Sequence, residues 1–159
     1  MTEPIVRRAT PADADELARL RWDFRVEHGT PVTRDVEEFG DEFRAFVAQT
    51  LAPGTPWRAW VAEADDRLVG CAWVRFVDKV PHPGRRHAER PIAYLTNVYV
   101  EPSRRNGGLG SQLMDAALGH ARDSRAGEAI VWPTERSLGF YRRAGFGPGG
   151  PLWMSLEGD

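Results

Sequence analysis

The chain has 159 residues, 42% of them hydrophobic, and a net charge of −2, long enough for one domain spanning 1–159 that buries roughly 70% of its unfolded surface. It contains no stretch near the ~20 apolar residues of a membrane span, no signal-peptide pattern and one cysteine, Cys71, which excludes an internal disulfide and multi-cysteine metal sites. The charge balance speaks against a nucleic-acid partner, and a cytoplasmic protein without metal is the expectation.

"IVRR" reads as a first strand, and "ATPADADELARLRWDF" opens a helix with Thr10 as cap and Pro11 in its first position. Leu17, Leu20 and Phe24 follow at helical spacing. "HGTP" breaks that helix, and Thr33 is placed to cap a second one, with Val36, Phe39, Phe43, Val47 and Leu51 as its apolar stripe. "WRAWVAEADDRLVGCAWVRFV" has the pattern of a hairpin turning at Asp65, Asp66 and Arg67. A Pro- and Arg-rich connection, "DKVPHPGRRHAERP", leads to the apolar strand "IAYLTNVYV", expected at the sheet centre. A helix with Leu109, Leu113, Ala117 and Ala121 on one face comes next, followed by the short strand "EAIVWP". Thr134 is placed to cap a last helix through Tyr141, Gly145 to stop it, and "PLWMSL" to close as a strand. The order β-α-α-β-β-β-α-β-α-β predicts an α/β fold with a mixed sheet of about six strands and about four helices. Strand, loop, helix and strand over 92–133 predict a right-handed parallel crossover.

The stretch "VEPSRRNGGLGSQL" sets Arg104 and Arg105 beside Asn106, Gly107, Gly108 and Gly110 at the start of a helix. Residues that tolerate left-handed backbone can aim successive N–H groups at one point, and a helix start adds unpaired N–H groups and a favourable dipole. The pattern points to an anion. A nucleotide phosphate loop requires Gly-Lys-Ser/Thr, and Lys79, the only lysine, lies elsewhere. A dinucleotide fingerprint requires a third Gly or Ala where Leu113 stands, in a turn directly after the strand.

"VEPSRRNGGLG" resembles the coenzyme signature of the GNAT superfamily of acyl-coenzyme A N-acyltransferases, Arg/Gln-x-x-Gly-x-Gly/Ala, with Arg105, Gly108 and Gly110 in place. "FYRRAGF" resembles the family's C-terminal element, with Tyr141, Gly145 and Phe146 matching. The resemblance implies a mostly antiparallel sheet with a splayed parallel pair, 92–100 and 128–133, and acetyl-coenzyme A as co-substrate. It places the coenzyme pyrophosphate on backbone amides of Arg105, Asn106, Gly107, Gly108, Leu109, Gly110 and Ser111. The pantetheine arm would pair with the backbone near Val98, Tyr99 and Val100, and Ser137 would lie close to the coenzyme.

The same resemblance assigns Tyr141 as proton donor to the leaving sulfur and an N–H near Val98 to the oxyanion. Many members carry a glutamate on the strand where this chain has Tyr94, so Glu27, with His28 and Asp78 as alternatives, becomes the candidate proton acceptor, expected on loops near the acceptor. A water relay and selection of the neutral amine remain open. The expected activity is acetyl transfer to an amine of a small molecule by direct attack in a ternary complex; the alternative class is a non-catalytic acyl-coenzyme A sensor of the same fold. A homodimer is compatible with either. Asp23, Glu27, Asp35, Glu37, Glu38, Asp41 and Glu42, crowded into one segment, suggest a cationic acceptor, whereas the arginines of "GRRHAER" argue for a carboxylate.

Overall fold

The computed structural model describes residues 2–84, 90–150 and 152–157; the expectation for Arg85 and Arg86 lies outside them. β1 (Ile5–Arg8) passes through a 3-10 turn, Pro11–Asp13, into α1 (Ala14–Glu27). Asp13 closes the turn, accepting from the Thr10 N–H at 2.8 Å and holding the Arg7 guanidinium through both oxygens. α2 (Val36–Thr50) is capped by Asp35 and not by Thr33. The Asp35 carboxylate accepts from the Glu37 and Glu38 N–H groups at 2.8 and 3.2 Å. A charged acceptor there also meets the positive end of the helix, and such a cap is worth about 1 kcal/mol.

The expected stripe of α2 holds from Phe39 to Leu51, with Val47 buried and Phe43 and Leu51 packed on the same core, while Val36 at the helix lip is exposed. Phe46, at the edge of the stripe and partly exposed, packs with Trp57 and Trp73, ring centroids 5.8 and 5.7 Å away. β2 (Trp57–Ala64) and β3 (Arg67–Val77) form the hairpin, turning through Asp65 and Asp66 with φ of 53° and 59°. Two consecutive left-handed residues give the turn twist that antiparallel strands accept.

β4 (Ile92–Val100), α3 (Leu109–Asp123), β5 (Glu128–Ile130) and α4 (Leu138–Arg143) complete the fold. The sheet order is β1-β2-β3-β4-β5, antiparallel except for β4 beside β5. β3 is therefore the central strand, and β4 lies one place outward. Among the described residues the sheet has five strands, and 152–157 form none; a sixth would need an edge, and β5 offers only three residues. Leu152, Trp153, Met154 and Leu156 are accordingly exposed.

Each sheet face carries its own core. Leu17, Leu20 and Val47 from α1 and α2 pack on Val61, Cys71 and Trp73. Leu113, Met114, Ala117 and Leu118 of α3 pack on the other face, against Val74, Ala93 and Leu95. Each fully buried leucine contributes about 1.5–3 kcal/mol. Among the described residues no helix is long and apolar enough to cross a membrane.

Candidate active site

β4 and β5 pair only from Ile92↔Glu128 to Tyr94↔Ile130. Beyond Tyr94 the strands part, and the outer edge of β4 from Leu95 to Val100 faces a cleft of about 690 Å³. An unpaired edge of this kind is a template for an extended ligand. The splay implied by the sequence is thus present, cut to a β5 of three residues.

β4 also bulges. Cys71 faces Tyr99 and Trp73 faces Thr96, so Asn97 and Val98 together oppose Ala72. Asn97 takes φ 50°, a left-handed value that Asn tolerates better than most side chains. The extra residue reverses the alternation of the strand. Leu95 and Val98 both face α3, while Tyr99 packs with α1. The Asn97 side chain is held by Arg21, whose Nη1 donates to Oδ1 at 3.1 Å. Nothing in the apolar pattern of "IAYLTNVYV" announced this except the Asn itself.

At the cleft's other end, a 3-10 turn (Pro102–Arg104) and the loop through Asn106, φ 64°, bring the chain to Gly108, φ 82°. Gly108 is the N-cap of α3 and supplies no side chain to its free N–H groups. A Cβ on Gly108 would meet nothing within 4 Å, so the space in front of these donors is open. The Arg105 side chain is paired within the protein. Its Nη1 and Nη2 donate to both oxygens of Glu27 at 2.6 and 2.7 Å, and its Nε to the Val100 carbonyl at 2.9 Å. The guanidinium also stacks over the Tyr99 ring at 5.6 Å.

The same pair removes Glu27 as a ready base. It is the last residue of α1, not a loop residue, and hydrogen bonds from Arg105 hold its pKa below the ordinary glutamate value. Both its oxygens are engaged. Burial, with Glu27 nearby, pushes the Tyr99 hydroxyl up to about 12. His28 lines the cleft as well, whereas Asp78, beyond the end of β3, does not.

Tyr141 reaches the cleft from α4, and its position follows from how that helix starts and stops. Thr134 and Ser137 form a reciprocal cap, Ser137 N–H to Thr134 Oγ1 at 3.3 Å and Thr134 N–H to Ser137 Oγ at 2.9 Å. Ser137 therefore lines the cleft while also fixing the helix start. At the other end Gly145, φ 100°, lets the Phe146 N–H return to the Tyr141 carbonyl at 3.0 Å and its own N–H to Arg142 at 3.1 Å. This is the Schellman arrangement, with its apolar contact supplied by Phe146 and Tyr141, rings 5.7 Å apart. The Tyr-x-x-x-Gly-Phe spacing thus has a local physical cause. Tyr141 is 7% exposed, its hydroxyl has no hydrogen-bond partner among the described residues, and burial pushes its pKa up to about 12.

Of the residues singled out in the sequence, Glu27, Val98, Tyr99, Val100, Arg105, Asn106, Gly108, Gly110, Ser111, Ser137 and Tyr141 line this one cleft. Gly107 and Leu109 do not: Leu109, the first residue of α3, is buried in the core, and Gly107 is an exposed step of the loop. The acidic segment is not at the cleft, Glu27 apart. Asp23 pairs with Arg19, Glu38 and Glu42 with Arg34, Asp41 with Arg44, and Asp35 caps α2. The border is basic instead, with Arg21, Arg25, Arg136 and Arg143. Tyr94 and Trp132, ring centroids 4.7 Å apart, wall the opening beside β5. Cys71 is fully buried, and burial raises its pKa to about 12, the state of a packing thiol.

The cleft thus combines a sheet opened between two parallel strands, a helix start at one end and a buried tyrosine at its side. The profile of the Acetyltransferase (GNAT) family matches residues 14–146, and the chain belongs to that family. An aminoglycoside N(6')-acetyltransferase type 1 of Stenotrophomonas maltophilia is 30% identical over 122 residues, 76% of this chain and 69% of that protein. A predicted acetyltransferase of Clostridium acetobutylicum crystallised with acetyl-CoA shares the fold at a TM-score of 0.77 and 20% identity, over 98% of this chain and 96% of the other. A GCN5-related N-acetyltransferase of Ralstonia eutropha superimposes at 0.75 with 25% identity, covering 98% of this chain and 100% of its own.

Proposed function

We propose that this acetyltransferase moves the acetyl group of acetyl-coenzyme A to a primary amine of a small molecule, by direct attack in a ternary complex. The observation that carries the reading is the continuous cleft from the α3 N-terminus, along the open β4 edge, to Tyr141. The pyrophosphate would lie on backbone N–H groups between Arg105 and Ser111, with Gly107 and Leu109 contributing only main chain. The pantetheine arm would run along Val98, Tyr99 and Val100 as an added strand.

The amine nitrogen attacks the thioester carbonyl carbon, and the oxygen takes the electron pair of the C=O π bond. The main-chain N–H of Val98, at the bulge, would stabilise that oxyanion. Collapse breaks the C–S bond and leaves a thiolate, while the new amide nitrogen loses its proton to solvent or to a water in the cleft. Tyr141, with a pKa of about 12, stays protonated at neutral pH and serves as hydrogen-bond donor to the departing sulfur. Glu27 is assigned to positioning Arg105 rather than to accepting the proton, because its carboxylate is already committed.

A second reading, a cationic acceptor, draws support from the aminoglycoside named for the curated relative. It draws none from the cleft lining. A non-catalytic acyl-coenzyme A sensor is the other class. Thiol release from acetyl-coenzyme A across a panel of amines tests the proposal: amine-dependent release is expected, and coenzyme binding without release for any amine would leave the sensor.

A further inference from the structure

We propose that the acceptor end of the cleft carries an oxyanion-binding subsite, made by Arg21 and Arg25, which selects amines bearing a carboxylate or a phosphate. The proposal rests on the acetyl-transfer reading above and names its acceptor class. Arg21 and Arg25 stand one turn apart on α1, on one face, and both line the cleft. Arg21 is half-buried between α1 and the β4 bulge, its guanidinium 5.6 Å from the Phe24 ring centroid. Its Nη1 donates to the neutral Asn97 amide, which places it one residue from the main chain assigned to the oxyanion.

Neither arginine has a carboxylate partner among the described residues. Arg7, Arg19, Arg34, Arg44, Arg67 and Arg105, in contrast, each hold one. Glu27, the one acid lining the cleft among the described residues, is neutralised by Arg105. Burial and the nearby Arg25 charge lower the pKa of Arg21 from its ordinary value, a cost that an incoming anion would relieve. A planar guanidinium with free N–H groups matches carboxylate and phosphate oxygens in pairs. On the opposite side, Tyr94 and Trp132 offer ring surface to the carbon chain between anion and amine.

The test uses four amines on a common two-carbon chain: β-alanine, phosphoethanolamine, ethanolamine and ethylenediamine. kcat/KM for acetyl transfer is measured for the wild type, Arg21→Gln and Arg25→Gln. Binding of the same amines to protein saturated with coenzyme A is followed by calorimetry. The expected result is a preference for the two anionic amines, the better of them telling a carboxylate site from a phosphate site. In either variant that preference over ethanolamine falls roughly tenfold or more. Arg25 is exposed, so its variant keeps the test decisive if Arg21→Gln fails to fold. Should no amine release thiol, the transfer reading falls, and anion-selective binding lost in the variants still upholds the subsite. A wild-type preference for ethanolamine or ethylenediamine, or an anionic preference that neither variant moves, overturns it.

Discussion

The two walls of the cleft are built in different ways. The wall formed by the 105–111 loop and α3 is made of main chain, with left-handed Asn106 and Gly108 opening the helix start. The wall formed by α1 is made of side chains, with Arg21 and Arg25 presented from successive turns. A main-chain site depends on backbone angles, so it leaves a short contiguous motif in the sequence. A side-chain site is assembled from elements far apart in the chain, so it leaves only scattered residues. The difference also suits the proposed chemistry, with one wall for a constant coenzyme and the other for an acceptor that can vary.

The largest effect expected from breaking this arrangement is at Tyr141, at the side of the cleft. Tyr141→Phe keeps the ring and the Schellman contact with Phe146 but removes the donor. Turnover should fall on the order of 10²-fold with coenzyme affinity unchanged, as read by single-turnover kinetics beside calorimetry. Unchanged single-turnover rates would return Tyr141 to a packing role.

Next in size is the main-chain wall. Gly108→Val must hold a β-branched residue at φ 82° and puts methyl groups into the open space before the α3 N–H groups. The strain costs about 1–2 kcal/mol of folding stability, and the methyl groups block approach to the N–H groups, so acetyl-coenzyme A should bind at least about tenfold more weakly. Coenzyme affinity equal to the wild type would show that the phosphates lie elsewhere.

The smallest effect is expected where the walls are tied together, at Glu27 and Arg105. Glu27→Gln should leave turnover within about threefold and lower stability by about 1 kcal/mol at neutral pH, since the pair is partly exposed. Arg105 holds the folded pKa of Glu27 below its unfolded value. The stabilisation is therefore complete above the ordinary glutamate range, about 4.3, and fades as pH falls through the lower folded value. Urea unfolding of wild type and variant should converge in acid. A gap that persists there, or a turnover collapse in the variant, would reassign Glu27.

The sequence was legible where local rules decide. Thr10 with Asp13, the paired aspartates of the hairpin, Gly108 before α3 and Gly145 after α4 all appear as their local chemistry dictates. The cap of α2 moved from Thr33 to Asp35 because two acceptors competed within three residues and the charged one met the helix start. The strand expected at "PLWMSL" had the right composition but depends on a neighbouring edge that no local pattern describes. Arg21 and Arg25 carry no motif that marks them in the sequence, and it is the position of the β4 bulge that makes their helix face a cleft wall. The acidic stretch misled because nearby arginines take up much of its charge, Arg19 for Asp23, Arg34 for Glu38 and Glu42, and Arg44 for Asp41.

Amide hydrogen exchange of the protein with and without acetyl-coenzyme A tests the central claim most directly. The account predicts slowed exchange confined to the backbone of residues 105–111 and the open edge of β4 from Leu95 to Val100. The β1 edge and α2 should be unchanged. Protection at β1 or α2 with none along β4, or no change anywhere at saturating coenzyme, would contradict it.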